Sequence, residues 1–360
     1  MNGDRLHATL RTLEHFTNDS LALKHHTQYL SGFHYNRDLL KAAVANTYVE
    51  TVGNRSDSLY RAVEKSTVDA MKNSLFARMS AITKPSELDK KRCMIAFDYT
   101  TEDFYGDRDT LWIHGWTGDH GVTGRYSYLT ASIVNKDLRL PVFSIPSPMG
   151  NDMPGEVSDM LQRMNSITHD IDLVLFDRGF YSKELMLALS GMDMPYLIFV
   201  PKNQWVKDEL VSMIHGERKI VFHEFSFYRD GHKVTGDTNL AFLKQIYDHR
   251  TDEYYDWVFA TNVSDMDLEK IIKQYKARWR IETMFRVQDE CRIKTKSKDI
   301  RVRYFLFAYE QLIESIWYLF YHAEVSFKKY LMELSESCTT MVNNVERKER
   351  NRKQSRIKTV

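Results

Sequence analysis

A chain of 360 residues, 43% hydrophobic and 12% aromatic, can bury enough apolar surface for two or three folded units and is not disordered overall. Its 50 Lys and Arg against 49 Asp and Glu leave a formal charge of +1, which excludes any global attraction to a polyanion and makes local charge decide. The three cysteines, Cys93, Cys291 and Cys338, contain no C-x-x-C pair, so neither a disulfide framework nor a zinc ribbon is indicated and a reducing cytosol fits.

The start, Met1 to His7, lacks a basic region followed by an apolar core and predicts no signal peptide. Residues 1–88 carry few Gly or Pro and show helical spacing in Leu59, Ala62, Val63, Met71 and Leu75, with Pro85 marking an end; they are expected to form a separate helical region. His25, His26 and His34 have no Cys or carboxylate at ligand spacing and are read as surface or core histidines.

From Lys91 the pattern changes. Cys93 to Phe97 is a short apolar run ending in Asp98, and Tyr126 to Val134 has the composition of a strand. Asp172 to Phe176 is a second buried-strand run ending in Asp177, followed by a helix starting at Ser182 and a strand from Tyr196 to Val200. Strands alternating with helices predict an α/β core. The more polar span 201–256, with Val, Phe and Tyr-rich pieces from Ile220 to Tyr228 and turn signals at Asp230-Gly231 and Gly236-Asp237, reads as an inserted β-rich unit. Trp257 to Asn262 looks like a returning strand, and Ser264 or Asp265 is expected to cap a long helix through Leu268, Ile271, Ile272, Tyr275 and Trp279.

Tyr304 to Tyr321 is apolar but broken by Glu310, Gln311 and Glu314, which argues against a membrane span. The end is basic: Arg347, Lys348, Arg350, Arg352, Lys353, Arg356 and Lys358 are countered only by Glu346 and Glu349, a tail suited to a DNA backbone or simply to solvent.

A carboxylate closing a buried strand sits where open α/β sheets collect ligands, although Asp98 or Asp177 alone could equally be a loop cap. Tyr275, Arg278 and Glu282 lie at helical offsets and share one face; the plain alternative is an amphipathic helix with an ordinary Arg–Glu surface pair. Together, two strand-end aspartates and a helix-borne glutamate could supply hard oxygen ligands to two magnesium ions about 4 Å apart, one activating the attacking oxygen and one stabilising the departing oxygen. Such a crowded acidic cluster is costly unless cations occupy it.

These segments resemble the DDE transposases of bacterial and archaeal insertion sequences. Asp98 in Ala96-Phe97-Asp98-Tyr99-Thr100 looks like the family's first aspartate, with the following Phe104-Tyr105-Gly106-Asp107 similar to a segment of an archaeal branch. Asp177 in Phe176-Asp177-Arg178-Gly179-Phe180-Tyr181 looks like the second, and Tyr275-x-x-Arg278-Trp279-x-Ile281-Glu282 is similar to the Tyr-Arg-Glu signature around the third carboxylate. The resemblance implies a ribonuclease H-like mixed sheet flanked by helices over residues 89–200 and 257–335. The insertion would be 201–256, the helical N-terminal region 1–88 would bind DNA, and 336–360 would be a basic tail.

The same resemblance implies a catalytic and metal-binding set of Asp98, Asp177 and Glu282, with Tyr275, Arg278, Arg178 and Lys294 contacting or positioning DNA. The cofactor would be two Mg2+ ions, with Mn2+ as a substitute. The chemistry would be cleavage at transposon ends followed by attack of the freed 3′ hydroxyl on target DNA. The partner would be double-stranded DNA bound by a homodimer in the cytoplasm, at the nucleoid. One departure is Asp289, where the family has a lysine; Lys294, Lys296 and Lys298 lie just downstream, but helical phase does not bring them to that position. Asp103, Asp107, Asp109, Asp170, Asp172 and Glu290 are read as solvated or turn residues, and Trp279 as core with a potential DNA contact. Two rivals share these features: a metal-dependent nuclease that never joins strands, and a catalytically silent DNA-binding descendant of a transposase.

Overall fold

The structure, a computed structural model, describes residues 3–23, 32–116 and 121–357. The chain begins with helices α1 (Gly3–Ser20), α2 (Gly32–Ala45), α3 (Val49–Val52), α4 (Ser56–Val63) and α5 (Val68–Thr83). Leu10, Leu13, Phe16, Leu39, Leu59, Val63, Met71 and Leu75 recur at helical spacing on these segments and are buried. The Thr67 hydroxyl caps α5 by accepting from the Ala70 N–H, and Pro85 follows in a 3-10 turn, Lys84–Ser86.

The strands are β1 (Arg92–Phe104), β2 (His114–Gly115), β3 (Gly124–Val134), β4 (Arg139–Ser147), β5 (Asp170–Phe176), β6 (Tyr196–Phe199), β7 (Arg218–Arg229), β8 (His232–Asp248) and β9 (Glu253–Thr261). Interleaved with them are α6 (Met153–Met164), α7 (Lys183–Gly191) and α8 (Gln204–Val211), and after them come α9 (Ile271–Lys276), α10 (Arg280–Asp289), α11 (Ile300–Phe320) and α12 (Phe327–Ile357). Two compact units result: residues 1–86, 140–146 and 283–360 form one, and residues 87–139 and 147–282 form the other.

In the helical unit, α1 and α5 pack on α11, and α2 packs on α12. Phe16 stacks on Phe305 with ring centroids 5.6 Å apart. The Tyr304 hydroxyl donates to the Ser144 carbonyl at 2.7 Å, that of Ser315 donates to Pro141 at 2.9 Å, and Phe76 meets Phe143 edge-on, so α11 and α5 are tied to the middle of β4. The first 86 residues therefore do not stand apart as a region of their own: their apolar faces are completed by helices from the far end of the chain. No described helix is long and apolar enough to cross a membrane, because α11 carries buried Arg303, Glu310, Gln311 and Glu314.

The second unit is a mixed sheet in the order β2-β3-β1-β5-β6-β9-β8-β7. β1, β5 and β6 run parallel at its centre and the other pairs on this path are antiparallel. Val174, Leu175 and Phe176 of β5 are buried in succession, as expected for a parallel strand covered on both faces. Ser182 caps α7 through the Leu185 N–H. Asp230 and Gly231 both take positive φ, 50° and 78°, and form the two-residue turn between β7 and β8.

Two local readings are corrected here. Gly236-Asp237 is no turn: Gly236 pairs with Phe225 inside the hairpin, and an added Cβ would lie 2.8 Å from the Phe225 ring, so glycine serves there as room for an aromatic. The helix expected from Ser264 or Asp265 starts at Ile271, because Asp267 closes a turn first; its carboxylate accepts the Glu269 N–H and its carbonyl those of Lys270 and Ile271.

Candidate functional site

Phe97 and Phe176 are register partners across the parallel β1–β5 pair, and their rings stack at 5.3 Å. Asp98 and Asp177 follow them directly in the chain, so the register delivers two carboxylates together where the pairing of the two parallel strands ends. Asp98 does not end its strand. β1 runs on to Phe104 and Asp98 faces Thr130 of β3, so what ends there is the pairing with β5. Asp177 leaves β5 for a 3-10 turn, Arg178–Phe180, and its carboxylate accepts the Arg178 N–H at 2.6 Å.

A contact not anticipated from sequence braces this arrangement: Tyr99 and Phe180 stack with centroids 5.1 Å apart, joining the residues that follow each aspartate. The available signal was an aromatic shortly after each Asp.

The third group arrives from α9, a 3-10 turn over Ala277–Trp279 and the first turn of α10, which carry Tyr275, Arg278 and Glu282 respectively. Arg278, only 6% exposed, donates from Nη1 to Asp98 Oδ2 at 2.5 Å and from Nη2 to Glu282 Oε1 at 3.2 Å. The Arg278–Glu282 pair is thus not an isolated surface pair, since the same guanidinium reaches the sheet. Tyr275 is buried among Phe199, Trp257 and Phe259, and the guanidinium carbon of Arg278 lies 5.8 Å from its ring centroid.

Burial pushes the Asp98 carboxyl up to about 6, and the negative charges of Asp177 and Glu282 push the same way; Arg278 and the Tyr99 N–H only partly offset them. Burial also raises the Tyr275 hydroxyl, keeping it protonated. The negative charges of Asp177 and Glu282 are felt at Asp98, and Arg278 pairs with Asp98 and Glu282, so carboxylates gather at this place. All the donors are hard carboxylate oxygens, the set that suits Mg2+ or Mn2+. Among the described residues, however, no three His, Cys, Asp or Glu side chains are already closed around a metal position. Arg278 stands between two of them.

The remaining sequence candidates fall elsewhere. Arg178 is exposed beside Asp177. Lys294 belongs to the helical unit, where its N–H donates to the Thr47 carbonyl at 3.0 Å. Asp289, in the place of the family lysine, ends α10; it pairs with Arg292 at 3.5 Å and its carbonyl accepts from Asn46 at 2.9 Å. Glu290 lies past the end of that helix, and Asp107 is exposed in the loop after β1. The Trp279 ring is faced by Arg250, at 4.1 Å, and Lys276, at 5.7 Å. His34 is buried 3.7 Å from Glu346, whereas His25, His26 and the side chains of Arg352, Lys353, Arg356 and Lys358 lie outside the described residues.

Comparison with known proteins agrees with the sequence motifs. The family model for the transposase DDE domain matches residues 90–309. A solved structure of the piggyBac transposase synaptic complex with hairpin DNA superposes with a TM-score of 0.58 at 12% identity, covering 95% of this chain and 79% of that one. No curated protein matches significantly. At that identity the structural likeness speaks for the fold, a mixed α/β architecture of the ribonuclease H-like type.

Proposed function

The chain belongs to the DDE transposase domain family, and from that premise we propose that it cleaves DNA at transposon ends and joins the freed 3′ hydroxyl to target DNA. The observation that carries this reading is Arg278, bonded at once to Asp98 on the central sheet and to Glu282 on α10. One buried cation thereby draws together carboxylates 184 positions apart in sequence, beside the strand end that carries Asp177.

In this reading Asp98, Asp177 and Glu282 hold two divalent cations, Mg2+ or Mn2+, which supply Lewis-acid activation of the attacking and departing oxygens. Asp98 and Asp177 are fixed by the β1–β5 register and the Tyr99–Phe180 stack, and so define where the scissile phosphate must lie. Glu282 reaches them from a helix. Arg278 orients both Asp98 and Glu282, and Tyr275 fixes the turn from which Arg278 projects. Exposed Arg178, beside Asp177, meets the DNA backbone. The substrate is double-stranded DNA, held by a homodimer on paired ends.

The test is a strand-transfer assay on end-containing DNA in Mg2+, run beside a gel shift on the same preparation. Asp177→Asn is expected to abolish cleavage and joining while retaining DNA binding, with circular dichroism verifying the fold. Wild-type cleavage by this variant would overturn the metal-ligand assignment. Cleavage by the wild-type protein with no joined product would leave a nuclease.

A further inference from the structure

We propose that the outer edge of β7, from Arg218 to Glu224, pairs antiparallel with the same edge of a second copy of this chain, about a twofold axis at Val221. The inference rests on the reading that the protein acts as a homodimer and names the surface where the copies meet.

β7 lies at one end of the sheet and pairs with β8 alone. Asp230 and Gly231 close that hairpin as a two-residue turn, in which the Arg229 carbonyl faces the His232 N–H. The backbone groups of Arg229 and of every second residue before it therefore point to β8, and the register runs without a shift to Arg218. The residues between them, Ile220, Phe222, Glu224 and Ser226, direct N–H and C=O away from the sheet, as Arg218 does. One of these groups is taken: the Ser226 carbonyl accepts from Lys183 Nζ at 2.8 Å, which closes the edge at that end. The open stretch runs from Arg218, where the strand starts, to Glu224, and its midpoint is Val221.

An open edge is a template for another strand, and proteins usually blunt it with proline, lysine or a bulge. β7 has no proline and no bulge, and its one lysine, Lys219, is drawn to Glu209 of α8 at 2.5 Å. His223, on the same side, stacks on Trp205 of α8, so that face is covered. The opposite face holds apolar groups in the open: Ile220 is 37% exposed and Phe222 62%.

Self-complementarity identifies the occupant. Antiparallel pairing about Val221 sets Ile220 against the partner's Phe222 and Arg218 against the partner's Glu224, each twice by symmetry. These outward residues exchange both main-chain bonds in such a pairing, apolar side chains meet near the axis, and opposite charges meet at both ends. An axis at Phe222 instead faces Ile220 with Glu224, and one at Ile220 faces Arg218 with Phe222; the axis at Val221 matches both kinds of pair. Glu224 is exposed and makes no ion pair among the described residues. Arg218 holds Glu269 at 3.1 Å, a carboxylate 73% exposed, and a guanidinium can serve two carboxylates at once, as Arg278 does. Strand addition of this kind draws its affinity from the main chain and its register from the side chains.

The experiment is sedimentation velocity on the full-length protein, without DNA or metal, over a wide range of concentration. Wild type is expected to pass from monomer to dimer. Glu224→Arg and Arg218→Glu, each alone, set like charges opposite one another twice and should raise the dimer dissociation constant by about tenfold or more. Mixed in equal amounts, the two variants form a heterodimer in which both pairs are again opposite in sign, so the mixture should associate with near wild-type strength, a rescue that a merely damaged strand would not show. A monomeric wild type, single variants as tightly dimeric as wild type, or a mixture no stronger than its components overturns the edge pairing. Repeating the runs on end-containing duplex separates the two readings: a complex of two copies that the single variants form as readily as wild type strikes the β7 edge alone, and a complex holding one copy strikes the homodimer itself.

Discussion

Removing the guanidinium that joins the acidic residues tests how the metal-free site is held. Arg278→Ala deletes a side chain bonded to Asp98, itself 19% exposed, and to Glu282, 53% exposed. Taking one partner from a buried ion pair costs about 3–5 kcal/mol, whereas an exposed pair contributes about 0–1 kcal/mol, so Asp98 sets the scale and Glu282 adds little. Protonation relieves part of this cost. Asp98, already pushed up to about 6 with Arg278 in place, loses its strongest lowering influence and must rise further.

The sign follows from proton uptake. A carboxyl raised on folding binds its proton more tightly in the folded state, so stability is lost as pH climbs from the ordinary value near 4 to the folded value. In the wild type that loss is complete just above about 6; in the variant it continues, at up to about 1.4 kcal/mol per pH unit. Urea unfolding in EDTA should therefore show the gap between the two proteins widening by about 1–3 kcal/mol from roughly pH 5.5 to pH 8. The double variant Asp98→Asn, Arg278→Ala should lack this widening. Parallel stability curves for Arg278→Ala and wild type would mean that Asp98 does not depend on Arg278, and the account of the site would fail.

Three further outcomes are expected. Glu282→Gln should lower turnover in Mg2+ by orders of magnitude at matched folding, while Glu290→Gln, past the end of α10, stays near wild type; the contrast is read from single-turnover cleavage. Deleting residues 347–360 leaves Glu346 paired with Arg37 at 3.5 Å and Arg55 at 3.3 Å, so the protein should fold normally yet show a shallower salt dependence of DNA binding, and an unchanged slope would make the tail merely solvated. Gly236→Ala should cost about 1–3 kcal/mol, because the new methyl meets the Phe225 ring in the β7–β8 hairpin; an unchanged urea midpoint would show that the ring simply moves aside.

What could be read in the sequence was whatever is determined locally. Apolar runs ending at Asp98 and Asp177, the Ser182 cap and the Asp230-Gly231 turn are set by side-chain and backbone preferences within a few residues, and each matches an element of the fold. Gly236-Asp237 carries the same turn chemistry and yet lies within a strand, because a Phe225 ring eleven positions earlier needs the space. The start of α9 was misplaced for a related reason: Ser264 and Asp265 are competent caps, but Asp267 closes a turn before the helix begins. Harder still were the pairings that exist only in the folded chain. Nothing near Phe97 announces that it faces Phe176, and the partner of Arg278 is 180 residues away. The helical phase of Tyr275, Arg278 and Glu282 named the residues; it could not show that a 3-10 turn would aim the arginine at the sheet.

The two kinds of support under the acidic residues imply a division of labour. Asp98 and Asp177 are carried by adjacent parallel strands whose register is locked by stacked rings, so their separation is a property of the sheet and resists adjustment. Glu282 sits in the first turn of a helix preceded by a 3-10 segment, and it is about half exposed. Local tightening of that kind often marks a hinge. Any change in the spacing of the three carboxylates must then come chiefly from the helix. Arg278 lies within the segment that would move and bonds to both sides, so it couples Glu282 to the fixed pair. Cations that took over the charge balance at Asp98 and Glu282 would compete with this guanidinium for the same oxygens.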